Sequence, residues 1–116
     1  MPSQNVELVE RAYEGFNREG APGTLPYLAE DVVWDESQLP ARHPGVYRGH
    51  DGILELGRQN AELWLEIKAD VESIVPVSAD KVVAILRARG RGRFTGEPVE
   101  LAIAHLWELR DGKAVR

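Results

Sequence analysis

The sequence predicts an α+β fold, with about three N-terminal helices packed on one face of a curved antiparallel sheet to make a cone with a central pocket. Three features carry this reading. Apolar residues first recur every three or four positions, the signature of amphipathic helices. From Leu63 the period falls to two, the signature of half-buried strands. Short clusters of turn-forming residues then separate the later segments, so the strands follow one another as a meander.

The elements follow in order. Ser3 is placed to cap the first helix, with Glu7 and Glu10 near its positive end. Val6, Val9, Tyr13 and Phe16 form one apolar stripe on a helix running to about Arg18. Gly20, Pro22 and Gly23 break it, and Thr24 is expected to cap a short second helix holding Leu25, Tyr27 and Leu28. Val32 opens the first strand. The segment from Gln38 to Val46, with two prolines and a glycine, reads as a loop. A third helix is expected from Asp51 to about Glu62, its apolar side carrying Ile53, Leu54, Leu56 and Ala61.

Leu63, Leu65, Ile67, Ala69 and Val71 then alternate with Trp64, Glu66, Lys68, Asp70 and Glu72 as one strand. Ser78 to Lys81 turns the chain into a strand from Val82 to about Arg93. Phe94 to Pro98 turns it into Val99 to Leu109, and Arg110-Asp-Gly-Lys113 makes a last hairpin turn.

The 116 residues read as a single domain, residues 1–116, with ordinary shares of hydrophobic (43%) and charged (28%) residues for a globular protein. A net charge of −5 and the absence of a basic face argue against a nucleic-acid partner. With no cysteine, disulfides and thiolate chemistry are excluded, and three scattered histidines make no metal motif. The start, MPSQNVELVE, lacks the basic and apolar regions of a signal peptide, and the longest apolar run is Val82 to Leu86. A cytoplasmic protein without a membrane partner is expected.

The segments ERAYEGFNREG, LAEDVVWDE, GVYRGHDGI and AHLWELRDGK resemble the SnoaL-like polyketide cyclase group of the nuclear transport factor two-like superfamily. The resemblance covers nearly the whole chain and implies the fold far more firmly than the reaction, because relatives include isomerases, dehydratases, cyclases, epoxide hydrolases and binding modules. Members usually continue for ten or more residues after the Gly-Lys turn, whereas only Ala114-Val-Arg116 follow here. A closing strand that is short, trimmed or disordered is therefore expected.

Two residues stand out for chemistry. On the first strand Val32, Trp34 and Glu36 share a face, and Val33 and Asp35 share the other. In the similar ketosteroid isomerases the general base ends this strand in the pattern tryptophan, any residue, acid, proline. The resemblance thus puts Glu36 in the base position, with Ser37 in place of the proline. A carboxylate beside tryptophan in an apolar hollow has a raised pKa, as a base working near neutrality needs. The competing reading makes Glu36 the first solvated residue after a buried strand. Asp35 is expected outward or paired with an arginine.

On the last long strand Leu101, Ile103, His105, Trp107 and Leu109 share the more apolar face, which points His105 inward. The resemblance places a catalytic aspartate of the relatives at His105. Histidine at its ordinary pKa of about 6.5 serves as acid or base; a core histidine held by one carbonyl or carboxylate is the other reading. The oxyanion-binding tyrosine of the isomerases falls at Ala12, next to Tyr13. The Asp-Arg-Asp set of the epoxide hydrolases fails, since no aspartate occurs from Val82 to Leu109.

Trp34, Tyr13, Phe16 and Trp107 would form the aromatic wall of a substrate pocket, although such residues equally make ordinary core. Arg87 shares a face with Val83, Ile85 and Arg89; it is a candidate to pair with Glu36 or to hold a substrate carboxylate, or else is solvated. His43, Tyr47 and His50 flank the loop at the cone mouth, as a ligand gate or as plain surface. The function expected is cofactor-free acid/base chemistry on a small hydrophobic, oxygenated molecule, or binding without chemistry. Ala102, Ala104 and Leu106 on the second sheet face point to a homodimer.

Overall fold

A computed structural model describes residues 2–35 and 45–116; the Glu36 and His43 assignments, and most of the Gln38–Val46 loop, lie outside the described residues. Helix α1 spans Pro2–Glu19. Its stripe buries Val9 (0% exposed), Ala12 and Tyr13, with Val6 and Phe16 packed at the margin. The helix already includes Ser3, so the expected cap is inside it, and a proline in the first turn removes no helical hydrogen bond. Gly20 ends α1 at φ 76°, with its N–H on the Phe16 carbonyl at 2.7 Å.

The short second helix is a 3-10 helix, Ala21–Tyr27. It starts before Thr24, whose hydroxyl bonds back to the Ala21 carbonyl at 2.7 Å instead of capping a new turn. The 3-10 helix lies so close to α1 that a Cβ on Gly15 would stand 2.1 Å from the Gly23 carbonyl oxygen. Two glycines let the backbones touch.

Strands β1 (Val33–Asp35) and β2 (Val46–Arg48) pair antiparallel, Trp34 opposite Tyr47. β2 is an addition to the expected elements: three residues at the edge of a Pro/Gly-rich stretch carry too little alternation to announce a strand. Helix α2 follows at Gly49–Leu63. It presents Ile53, Leu56, Gly57 and Asn60 inward, whereas Leu54, expected on the apolar side, is exposed.

The main sheet runs β3 (Trp64–Ser78), β4 (Lys81–Gly92), β5 (Pro98–Arg110) and β6 (Lys113–Ala114) in sequence order, all antiparallel. Val82, Ala84 and Leu86 of β4 and Trp107 and Leu109 of β5 are buried against the helices. In β3 the simple alternation fails. Bulges between Trp64 and Glu66 and between Val71 and Ser73 put two β3 residues opposite one of β4. Ile67 and Ala69 stay inward, but Leu65 and Val71, expected beside them, are exposed. The same bulges bend the strand, as a curved sheet requires.

Three devices hold the layers together. The Asn17 side chain reads the edge of β3 like a neighbouring strand, its amide donating to the Ala69 carbonyl and its oxygen accepting from the Ala69 N–H, both at 2.8 Å. Asp111 and Gly112, both with positive φ, make the tight turn into β6. Beyond it the short closing strand joins the main sheet to the N-terminal half: the Ala29 N–H donates to the Ala114 carbonyl at 2.8 Å and the Val33 N–H to the Val115 carbonyl at 3.1 Å.

Glycine to alanine inside a helix normally stabilises by up to about 1 kcal/mol. At Gly15 the clash with a backbone carbonyl outweighs that gain, and Gly15→Ala is expected to lower the unfolding free energy by about 1–3 kcal/mol. Gly45→Ala, whose new Cβ meets nothing within 4 Å among the described residues, should stay within about 0.5 kcal/mol of the parent in the same urea titration.

Candidate functional site

Helices and sheet do not close solid. Between them lies a cavity of about 200 Å³ lined mainly by apolar side chains from every layer: Ala12, Tyr13 and Phe16 of α1, Leu28, Trp34 of β1, Ile53 and Leu56 of α2, Ile67 of β3, Leu86 of β4, and Ile103, His105 and Trp107 of β5. Residues 103, 105 and 107 alternate inward as strand geometry demands. Tyr13 reaches them because it lies on the buried stripe of α1.

Four aromatic rings meet at one end. Tyr13 and Trp34 each present an edge-to-face contact to Trp107, with centroids 5.5 and 5.2 Å apart. Trp34 meets His105 in the same way at 5.2 Å. The planes of Tyr13 and His105 lie within 3° of parallel. Such contacts favour the positive ring edge over the negative face and fix ring orientation.

A hydrogen-bond chain runs through this cluster. The Trp107 Nε1–H donates to the Tyr13 hydroxyl oxygen at 3.0 Å, and that hydroxyl lies 2.7 Å from His105 Nδ1. An indole only donates, and the phenol has one proton. The arrangement in which that proton is used has Tyr13 O–H donating to Nδ1, and we assign it on that ground. His105 then carries its own proton on Nε2. No buried side-chain nitrogen or oxygen among the described residues lacks a partner, and Nε2 has no partner among them, so it retains an open approach.

Burial pushes the His105 pKa down to about 4. The ring is therefore neutral at pH 7, which corrects the expectation of an ordinary histidine free to act as either acid or base. What it offers is a neutral N–H donor. Burial likewise raises the Tyr13 pKa, opposed in part by the Trp107 hydrogen bond, so the phenol keeps its proton.

The structure brings Tyr13, Phe16, Trp34, His105 and Trp107 to one cavity. It does not bring the other two described candidates there. Arg87 sits on the outer face of β4, about half exposed and 3.1 Å from Glu100, because residues of its parity point away from the helices. Tyr47 is buried outside the cavity lining, its hydroxyl donating to Gln59 Oε1 at 2.7 Å. His50 donates to the Leu28 carbonyl at 3.0 Å. Asp35 is exposed, with Arg116 3.5 Å away.

Sequence reasoning missed Asn60, Thr24 and Lys68 in the lining. The spacing 53, 56, 57, 60 on α2 is a helical stripe and would have exposed Asn60. Lys68 donates to the Asn17 carbonyl at the end of α1, a contact that no local pattern announces. Among the described residues no three His, Asp or Glu side chains group as a metal site, and no helix is long and apolar enough to cross a membrane.

The profile of the SnoaL-like domain family matches residues 9–116. No curated protein matches the sequence. Among solved structures, the chain is similar to an NTF2-like protein of unknown function from Burkholderia pseudomallei, at 27% identity and TM-score 0.84, covering 97% of this chain and 86% of that one. It is also similar to TerC, co-crystallised with polyporic acid, at 26% identity and TM-score 0.85, covering 97% and 87%. A third likeness is to IdmH, a candidate polyketide cyclase of Streptomyces antibioticus, at 25% identity and TM-score 0.75, covering 99% and 87%.

The depressed His105 pKa has a measurable consequence. The unfolded chain takes up the proton near the ordinary value of 6.5 while the folded one resists until about 4. This contribution is complete above about pH 6.5 and lost as pH falls toward 4, on the order of 3 kcal/mol in all. Urea unfolding at about pH 7.5 and about pH 4.5 should show that component in the parent and lack it in His105→Gln. Equal losses in both proteins would contradict a neutral buried imidazole.

Proposed function

The chain belongs to the SnoaL-like domain family, with the NTF2-like fold, and on that footing we propose that it binds a small hydrophobic, oxygenated molecule in its cavity and performs cofactor-free acid/base chemistry on it. The observation that carries this reading is the neutral His105 imidazole, pinned by the Tyr13–Trp107 hydrogen-bond chain at the wall of a mainly apolar cavity. An N–H donor fixed in a dry site stabilises an oxygen that gains negative charge, without reorganising as the charge develops. Cyclisation, isomerisation and dehydration next to a carbonyl all pass through such an oxygen.

In this proposal His105 Nε2–H donates to the substrate oxygen. Tyr13 acts through His105, holding the tautomer and the ring plane. Glu36, assigned from the family pattern that follows Trp34, removes the proton next to the carbonyl and returns it. The missing isomerase tyrosine argues against steroid isomerisation, since Ala12 carries no hydroxyl and that of Tyr13 is engaged with His105 and Trp107. The same engagement favours the second reading, a binding module without chemistry, because one oxyanion donor fewer typically costs ~10²–10³ in rate.

Glu36→Gln and His105→Ala separate the two. Both should abolish turnover of any substrate found while calorimetry still records binding; full activity in both variants would rule the chemistry out. Tyr13→Phe is expected to reduce turnover by about 10–100-fold with little loss of affinity, since it frees the imidazole orientation but leaves the cavity.

We also infer a homodimer through the outer sheet face. Ile85 (42% exposed) and Leu106 (57% exposed) stand there with Ala102 and Ala104, bordered by the Arg87–Glu100 and Arg89–Asp70 pairs. Light scattering should give a dimer mass for the parent and a monomer mass for Leu106→Glu; a monomeric parent refutes this.

A further inference from the structure

One polar group in the cavity has no role in the chemistry above. Asn60 completes the inward stripe of α2, and the other stripe residues, Ile53, Leu56 and Gly57, are apolar. Asn60 lines the cavity, half-buried, and its amide has no hydrogen-bond partner among the described residues; it is not a sealed, unsatisfied group, so it is accessible to a partner at the cavity wall. When a ligand fills the cavity and displaces water from this amide, a ligand oxygen that replaces the lost hydrogen bond is favoured over a group that leaves the amide unpaired.

The strand register places this group away from the histidine. His105 lies opposite Ala84 of β4, whereas Ala88, four residues further along, also lines the cavity. Four residues of strand span about 13 Å. The last turn of α2 is tied to that farther end: Arg93 Nε donates to the Ala61 carbonyl and the Arg93 backbone N–H to the Leu63 carbonyl, both at 2.9 Å. Asn60, one residue before Ala61, therefore belongs to the end of the cavity remote from His105.

We propose that Asn60 is a second polar anchor facing His105 along the length of the cavity, so that the preferred ligand is an elongated, flat molecule with one oxygen function at each end. This rests on the preceding reading that the cavity takes a small oxygenated ligand. The His105 end requires an acceptor such as a carbonyl, because Nε2 carries the proton. The Asn60 end accepts either a hydroxyl or a carbonyl, because a primary amide both donates and accepts. The volume of about 200 Å³ lies below the ~300–1,000 Å³ of sites for drug-sized ligands and selects one- or two-ring compounds.

Calorimetry with two probes tests this. 6-Hydroxy-1-tetralone carries a ketone and a distant hydroxyl; 1-tetralone lacks the hydroxyl. The parent should bind the hydroxylated ketone about tenfold more tightly, the return from one well-made hydrogen bond. Asn60→Leu should erase that preference and bind 1-tetralone at least as well as the parent does. His105→Leu should weaken both probes alike and keep the preference. Equal affinity of the two probes in the parent, or a preference that survives Asn60→Leu, overturns the anchor while leaving a ligand-binding cavity. Failure of both probes to bind the parent overturns the cavity reading and the anchor together.

Discussion

The hydrogen bonds from Trp107 to Tyr13 and from Tyr13 to His105 are the constraint around which the molecule is organised. They cross from strand to helix and back, over sequence separations above ninety residues. Because the indole can only donate, it commits the phenol oxygen, and the phenol in turn commits the imidazole. The helix cannot rotate on the sheet, nor the strand slip by one residue, without leaving buried polar groups unpaired. That penalty is about 1–3 kcal/mol for each group, large against the stability of a small domain. One short chain of donors thus sets helix orientation, strand phase and the tautomer of the candidate catalytic group.

The remaining architecture keeps the space beside that chain empty. Gly15 against Gly23 brings the 3-10 helix onto α1, and Gly57 against Ala21 brings α2 onto the same layer. Helices packed this closely form a firm lid. On the other side the three bulges of β3 curve the sheet away from the helices. The hollow results from tight helix–helix contact on one side and sheet curvature on the other.

Where local pattern decides structure, the sequence was legible. The α1 stripe, the period-two strands, the Asp111-Gly112 turn and the inward direction of His105 and Trp107 all follow from spacing and turn chemistry. Where a distant partner decides, it was not. Leu65 is the unpaired residue of a bulge, and Val71 is exposed although it lies opposite buried Leu86; both outcomes depend on partners outside the β3 sequence. Val46–Arg48 is a strand only because β1 lies beside it. Arg87 was read toward the cavity because the inner end of its strand was favoured over its parity with exposed Ile85. For the candidate site, residue type was readable but state was not: the low pKa of His105 comes from burial, which no neighbour in sequence announces.

The indole at the head of the hydrogen-bond chain is buried, with only 2% of Trp107 exposed, and so is insulated from bulk solvent. It nonetheless sits two hydrogen bonds from the imidazole face that a guest would touch. Hydrogen bonds in series polarise one another. A change in charge at the imidazole therefore falls two hydrogen bonds from a chromophore shielded from bulk water, which makes the indole the natural place to look for an optical signal from this end of the cavity.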